Sequence, residues 1–449
     1  MKTISMEDAK RLVAEGTAMP REQRLAVQQQ RLRELVAYVR EHSPYLAARY
    51  AGLPEDFSLT DLPVITKQDI VENYDDYVTD RRLKKSDVLE YVNRDPSKDM
   101  SLLLGEYTAL RTSGSTGEPL PMVRDDYHNK IHGQMMAQRL LTGVDKEVLN
   151  LDRHRRASVI HMSNGASSYG ALNRNKAAHP DHQDNILGIS VLESIDHIVE
   201  ILNEFQPETM AGYPSVMVQL AVEQQKGNLK LNLKHLGTSA EMLTEANFWL
   251  LRDAFKCPIA NNYCMTEGGE VAMTHDCPHL HINEDWVIVE PVDKDMRPLG
   301  ESDEWSTGVL ITDLSNFVQP IIRYYVTDVI RVKSSAHSCS DLPCMEIQGR
   351  TFGNATICGK TFSVVGLFGK AEVWPGVVKF QFVQTAPDTL QVRGLCTAGS
   401  DAEEVLGSLA VQLKAYLAEK GCTDAKVTWS TETFIPNARG GKIPIFVKL

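Results

Sequence analysis

From about residue 105 to residue 310, short apolar runs rich in β-branched residues alternate with stretches whose apolar positions recur at helical spacing. That alternation constrains the fold of this chain more than any other feature. "ASVIHMS" and "TMAGY" have the texture of strands, and "IDHIVEILNEF" and "SVMVQLAVEQQ" that of helices. "WVIVEPV" and "GVLITDL" lack the polar alternation of a half-exposed strand and predict buried strands. Together they predict a layered α/β body. Ahead of it, "QQQRLRELVAYVREHSPYLAARYAG" predicts a helix with Leu32, Leu35, Val36 and Val39 on one face, ended by Pro44. In "LPVITKQDIVENY", Thr66 is placed to cap a further helix.

After "EIQGR" the texture changes. "TFGNATICGK" is polar and glycine-containing and predicts a linker. "VVKFQFVQ", "TLQVRGL", the helical "AEEVLGSLAVQLKAYLAEKG" and "AKVTWSTE" then predict a compact α+β unit. The expected division is a large domain over 1–349 and a small one over 350–449. No repeat and no low-complexity tract interrupts this plan.

Charge and cysteine content narrow the function classes. With 47 Lys+Arg against 59 Asp+Glu, the net charge of −12 disfavours general binding to a nucleic-acid backbone. A small anionic ligand remains compatible, because local backbone amides and a few cations outweigh a distant net charge. No apolar run is long enough to span a membrane, and "MKTISMEDAKRLVAEG" lacks a signal-peptide core, so a cytoplasmic location is expected. Eight cysteines at irregular spacing in 449 residues point to thiols or metal ligands and not to a disulfide framework.

The segment with the most chemical content is "RTSGSTGEPLPMV". Glycine amides approach an anion closely and Ser and Thr hydroxyls add donors, so Thr112, Ser113, Gly114, Ser115, Thr116 and Gly117 suit a polyphosphate. A Walker A loop would continue with Lys, but here Glu118 follows Gly117, and the dinucleotide fingerprint G-x-G-x-x-G is absent as well. The compensating positive charge has to come from elsewhere.

Four later segments stand in order behind that loop: "YCMTEGG" at Tyr263–Gly269, "RYYVTD" at Arg323–Asp328, "GRT" at Gly349–Thr351 and "GGK" at Gly440–Lys442. With "TSGSTGEP" they make a set that resembles the adenylate-forming superfamily. "SPYLAARY", "LPVITKQDIVENY", "AGYPSVM" and "LHINEDWVIVEPVD" are similar to its phenylacetate-CoA ligase branch, with the capsule-synthesis and coenzyme F390 relatives. The resemblance implies a large multi-layer α/β N-terminal domain holding the nucleotide and acyl sites, and a small mobile α+β C-terminal domain carrying a catalytic lysine. It implies a two-step reaction with ATP and Mg²⁺. A carboxylate attacks the α-phosphorus, pyrophosphate leaves, and the acyl-adenylate is captured by a nucleophile, commonly the thiol of CoA.

Carried over by position, Thr112–Gly117 would hold the β and γ phosphates and Asp328 both ribose hydroxyls, a task for a group that accepts two hydrogen bonds. Thr266 would touch the α-phosphate and Glu267 would ligate magnesium. Tyr263 would stack on adenine, with Asn262 beside it and the backbone of Ser239, Ala240 and Glu241 lining its face. Tyr213, Pro214, Gly237 and Cys264 would border the acyl pocket. Arg350 would reach ribose or phosphate from the hinge. Lys442 would arrive from the small domain for adenylation and then withdraw. That would supply the charge the loop lacks.

Some positions depart from the family pattern. Thr351, Phe352 and Gly353 stand where an acidic pair is common at the hinge; Cys264 stands where glycine is frequent, and Leu120 replaces a common lysine. "CPHLH" and, about sixty residues on, "HSC" resemble the paired ligands of a zinc site in this branch: Cys277, His279, His337 and Cys339, with His337 in place of a cysteine. Four protein ligands imply a structural Zn²⁺. The leading expectation is an AMP-forming ligase for a small acid, aromatic or cyclic by resemblance, with CoA as acceptor and a homodimer by family habit. An amine or a carrier-protein thiol is the alternative acceptor, and a non-catalytic nucleotide-binding protein the alternative class. "HMSNGASSYGALN" suggests a polar lining for the acyl pocket.

Overall fold

The computed structural model describes residues 2–112, 119–162, 167–333, 340–350, 354–363, 367, 371, 374–436 and 443–449. The alternation of strand and helix produces a large mixed sheet. From one edge inward, Ile186–Ser190, Arg156–Ile160, Thr209–Gly212, His235–Ser239 and Ile259–Met265 run parallel. The sheet then turns antiparallel through Gly269–His275, Leu280–Ile282, Cys344–Arg350 and Asp328–Lys333.

The crossover helices Ile195–Phe205, Pro214–Lys226 and Glu245–Phe255 bury Ile198, Leu202, Met217, Leu220, Phe248 and Leu251 in one core with the parallel strands. Their ends follow local chemistry. Ser194 and Thr244 cap two of the starts, Pro214 opens the third at its first turn, and Gln206, Gly227 and Lys256 end them in the left-handed region.

"WVIVEPV" and "GVLITDL" form neighbouring strands, Val287–Val292 and Gly308–Asp313, in an antiparallel sheet completed by Ile321–Val326. The helix Arg21–His42 lays Leu32, Leu35, Val36 and Val39 into the core beneath. Pro44 does not simply end that run. Ser43 caps a new short helix, Pro44–Arg49, with the proline at its first position, where a missing N–H costs nothing. "NEDW" anchors these layers. Arg24 pairs with Glu284 at 2.5 Å, Arg139 grips Asp285 through two contacts of 2.9 Å, and Arg31 lies 3.3 Å over the Trp286 ring.

The C-terminal segment has its own core, built from Phe382, Leu390, Val392, Leu409, Leu413 and Leu417. Helix Ala402–Glu419 packs on a four-stranded sheet ordered Lys426–Ser430, Thr389–Cys396, Val377–Ala386, Phe446–Lys448. Where a linker was expected there is a hairpin, Asn354–Ile357 with Lys360–Ser363. Its two turn residues, Cys358 and Gly359, have φ of +51° and +71°, the signature of a type I′ turn. Cys358 is an unusual residue for that position.

Candidate active site

In an open α/β sheet, ligands bind beyond the carboxyl ends of the parallel strands, and Tyr213, Pro214, Ala240, Glu241, Thr266 and Glu267 follow the ends of three such strands. Gly212 ends one strand, and a Cβ on it would lie 2.7 Å from the Val159 carbonyl oxygen, so only glycine fits. Tyr213 follows, buried; burial raises its pKa, and the nearby Ser168 side chain and His161 backbone oppose that. Pro214 starts the next helix. Gly237 lies within the neighbouring strand, between Ala211 and Ala260.

Ser239 ends that strand, and Ala240 takes φ +71°, a left-handed conformation uncommon for alanine. The kink aims Glu241 at two amides. One carboxylate oxygen accepts from Ser215 N at 3.0 Å, at the start of helix Pro214–Lys226, and the other from Ile443 N at 3.3 Å. Lys379, on the strand Val377–Ala386, feels the same carboxylate: burial lowers its pKa and Glu241 opposes that. Glu241 thus ties the large sheet to the C-terminal segment.

The strand Ile259–Met265 brings in the next group. Asn262 is buried, with its Oδ1 unpartnered. The Tyr263 hydroxyl donates to the Asp328 carboxylate, which joins two segments 65 residues apart. A register shift at Tyr263/Cys264 leaves Cys264 half-buried beside them. Asp328 itself is 5% exposed and opens the edge strand, opposite Arg350 in register. Thr266 and Glu267 occupy the turn between Ile259–Met265 and Gly269–His275. Arg124 Nη2 donates to the Thr266 carbonyl at 3.0 Å, and the Tyr324 hydroxyl donates to Glu267 Oε1 at 3.2 Å.

Thr112 and Leu120 flank the Ser/Thr/Gly-rich segment. The Thr112 N–H donates to the Leu120 carbonyl at 3.0 Å and its hydroxyl accepts from Leu120 N at 2.9 Å. Ser113, Gly114, Ser115, Thr116, Gly117, Lys442, His337 and Cys339 lie outside the described residues, as does the side chain of Arg350. Cys277 is buried, and its sulfur lies 3.9 Å from Nε2 of His281, whose Nδ1 lies 3.2 Å from the Leu342 carbonyl oxygen. The sequence pointed to His279 of "CPHLH"; the imidazole seen beside the sulfur is that of His281. Cys344 stands opposite His281, its pKa pushed up to about 11 by burial, with Glu346 and Cys277 adding to it.

No family model matches the chain. It is 22% identical over 448 residues to Protein CapK of Staphylococcus aureus, which covers 93% of this chain and 87% of that protein. It is 26% identical over 339 residues to phenylacetate-coenzyme A ligase of Thermus thermophilus, covering 72% and 68%. Among solved structures, 2-hydroxyisobutyryl-CoA ligase in the postadenylation state with 2-HIB-AMP matches with a TM-score of 0.65 at 19% identity, covering 97% of this chain and 91% of that one. The same ligase with 2-HIB-AMP and CoA in the thioesterification state gives 0.57 at 19% identity, covering 97% and 91%. The fold is that of the adenylate-forming ligases, and the phenylacetate-CoA ligase-like branch of that superfamily is what the chain resembles in sequence.

Proposed function

We propose that this chain activates a small carboxylic acid with ATP, releasing pyrophosphate, and passes the acyl group from AMP to the thiol of CoA. The observation that carries this is the contact of Tyr263 with Asp328 near the end of the strand Ile259–Met265, with Thr266 and Glu267 in the turn that follows and Glu241 bonded to Ile443, the residue after Lys442. The names of the relatives, phenylacetate-coenzyme A ligase among them, support it.

In this proposal Asp328 accepts the ribose hydroxyls and Tyr263, Asn262 and the Ser239–Glu241 backbone take the adenine. Thr112–Gly117 cradle the β and γ phosphates. Tyr213, Pro214, Gly237 and Cys264 hold the acid so that its carboxylate oxygen faces the α-phosphorus; one P–O bond forms as the bond to pyrophosphate breaks. Magnesium, held by Glu267 and the phosphates, would offset the charge that develops on the leaving group. Lys442 adds a second positive charge there from a small domain beginning near Arg350. In the second step a thiolate attacks the acyl carbon and AMP leaves. The hydroxyls of Ser168 and Tyr213 favour an acid with a polar substituent. ATP and CoA as substrates fit the cytoplasmic location expected from the sequence.

A structural zinc ion is the second part of the proposal. A tetrahedral ion roughly 2.3 Å from sulfur and 2.0–2.1 Å from nitrogen would separate those donors by about 3.5 Å, close to the 3.9 Å between Cys277 and His281. A backbone carbonyl that accepts a hydrogen bond from Nδ1–H fixes the tautomer and leaves Nε2 free to ligate. Cys277 and His281 would be joined by His337 and Cys339, with His279 as the alternative imidazole.

The test is ATP–pyrophosphate exchange across a panel of acids, with wild type and Lys442→Ala, followed by CoA, amine and carrier-protein acceptors with the best acid. Acid-dependent exchange, about 10²–10³-fold lower in the variant, and thioester formation with CoA are expected. Amide formation with CoA inert would replace the acceptor, and no exchange with any acid would defeat the proposal.

A further inference from the structure

The turn that carries Thr266 and Glu267 ends on a histidine. Gly269, at φ +64°, sits against the ring of His132, where a Cβ would come within 2.3 Å of Cε1 and 2.5 Å of Nδ1. The next residue, Glu270, places Oε2 2.5 Å from Nδ1 of the same ring. Asn283 Nδ2 donates to the Glu270 carbonyl at 2.9 Å, and Arg124 holds the far side of the turn at Thr266.

Behind the ring the contacts continue. His132 Nε2 and His128 Nδ1 each lie 2.9 Å from Ser315 Oγ, whose hydroxyl donates to Asp313 Oδ1 at 2.7 Å. The two rings stack at 3.9 Å, one helical turn apart on Asp126–Met135. His128, His132, Asp313 and Ser315 are all buried.

Two plainer explanations fit less well. Among the described residues, His128, His132 and Asp313 are the group with the composition and spacing of a metal site. The Ser315 hydroxyl, however, lies within hydrogen-bond distance of all three and fills the point that an ion would need. A purely structural role is also weak, since buried ion pairs contribute little to stability compared with apolar packing of the same volume. What this cluster does have is a direct seat under the turn.

We propose that His132 and Glu270 are positioning residues for adenylation: together they fix the turn so that Thr266 and Glu267 meet magnesium-bound ATP in one geometry. The charge state fits. Burial opposes a charged His132, but its hydrogen bonds to Asp313 and Glu270 and their charges hold its pKa up to about 9. Burial likewise opposes an ionised Glu270, yet the pairing with His132 holds it down to about 2. Burial, with the His132 charge, keeps His128 neutral, its pKa at about 4. Glu270 and Asp313 face His132 with negative charge; His128 is stacked on it, and Arg124 and Asp125 flank the cluster from the strand Pro121–Arg124 and the helix start. At neutral pH one imidazolium therefore sits between two carboxylates. Loss of its proton as pH rises through about 9 leaves those carboxylates facing each other and frees the turn.

The inference rests on the adenylation reading, so Mg·ATP binding is measured without acid alongside pyrophosphate exchange. Both are followed from neutral pH to above the His132 pKa in wild type, His132→Gln and Glu270→Gln. Expected are at least about tenfold weaker Mg·ATP binding in both variants, an unchanged KM for the acid, and an alkaline fall in wild type that is lost in His132→Gln and moves to lower pH in Glu270→Gln. Wild-type binding with the wild-type pH profile in the variants overturns the inference. If His132→Gln does not fold, Glu270→Gln, which keeps the side-chain shape, decides. If neither folds, the network holds the core and not the turn, and the inference falls. Absence of exchange with every acid, together with these binding changes, would defeat the adenylation reading and leave His132 and Glu270 positioning the turn for Mg·ATP binding alone.

Discussion

Asp328 shows how much one side chain does at this site. It is almost wholly buried at the start of an edge strand and accepts the Tyr263 hydroxyl, so its carboxylate is held in place before any ligand arrives. If ribose hydroxyls take that carboxylate, Asp328→Ala removes a charge-assisted acceptor of two hydrogen bonds at a cost of roughly 2–3 kcal/mol. Equilibrium ATP binding to the variant should weaken by about 30–150-fold at that cost. Unchanged affinity would remove the ribose from this residue. Asp328 drew notice in the sequence because it ends a local motif, "RYYVTD". His132 and Glu270 did not: they lie 138 positions apart, and nothing near either residue hints at its partner. Arg323 carries a different lesson. It begins the same motif, yet it makes two 3.1 Å contacts to Glu290 and supports the fold.

At the scale of elements, the strands Gly269–His275, Leu280–Ile282 and Cys344–Arg350 bring Cys277, His281 and Cys344 to one end of the large sheet. Purified protein is expected to contain close to one zinc ion per chain, and Cys277→Ser to lose metal and thermal stability together. Metal analysis finding none in protein prepared without chelator would end the zinc proposal. Much of this level was legible. Apolar runs such as "WVIVEPV" became strands because their side chains fill both faces, and the spacing of Leu32, Leu35, Val36 and Val39 fixed the buried face of its helix. What escaped were short elements set by backbone geometry. "ATICGK" lacks the Asn-Gly that announces a type I′ turn, so the hairpin at Cys358–Gly359 read as a linker. Pro44 read as a stop because a proline that ends one helix and a proline that begins the next look alike until Ser43 is seen capping.

For the whole molecule, the parallel half of the sheet offers its strand ends and the antiparallel half supplies Asp328, while the C-terminal segment reaches Glu241 through Ile443. In the proposal a net charge of −12 is offset locally, because Arg124, Lys379, Lys442 and magnesium stand beside the carboxylates of Glu241, Glu267 and Asp328. The central claim is that this assembly cleaves ATP between the α and β phosphates for a carboxylic acid. The direct measurement is to identify the nucleotide product when the protein turns over Mg·ATP with its best acid and CoA. The account predicts AMP and pyrophosphate in equal amounts, formed only when acid is present; ADP and orthophosphate would contradict it.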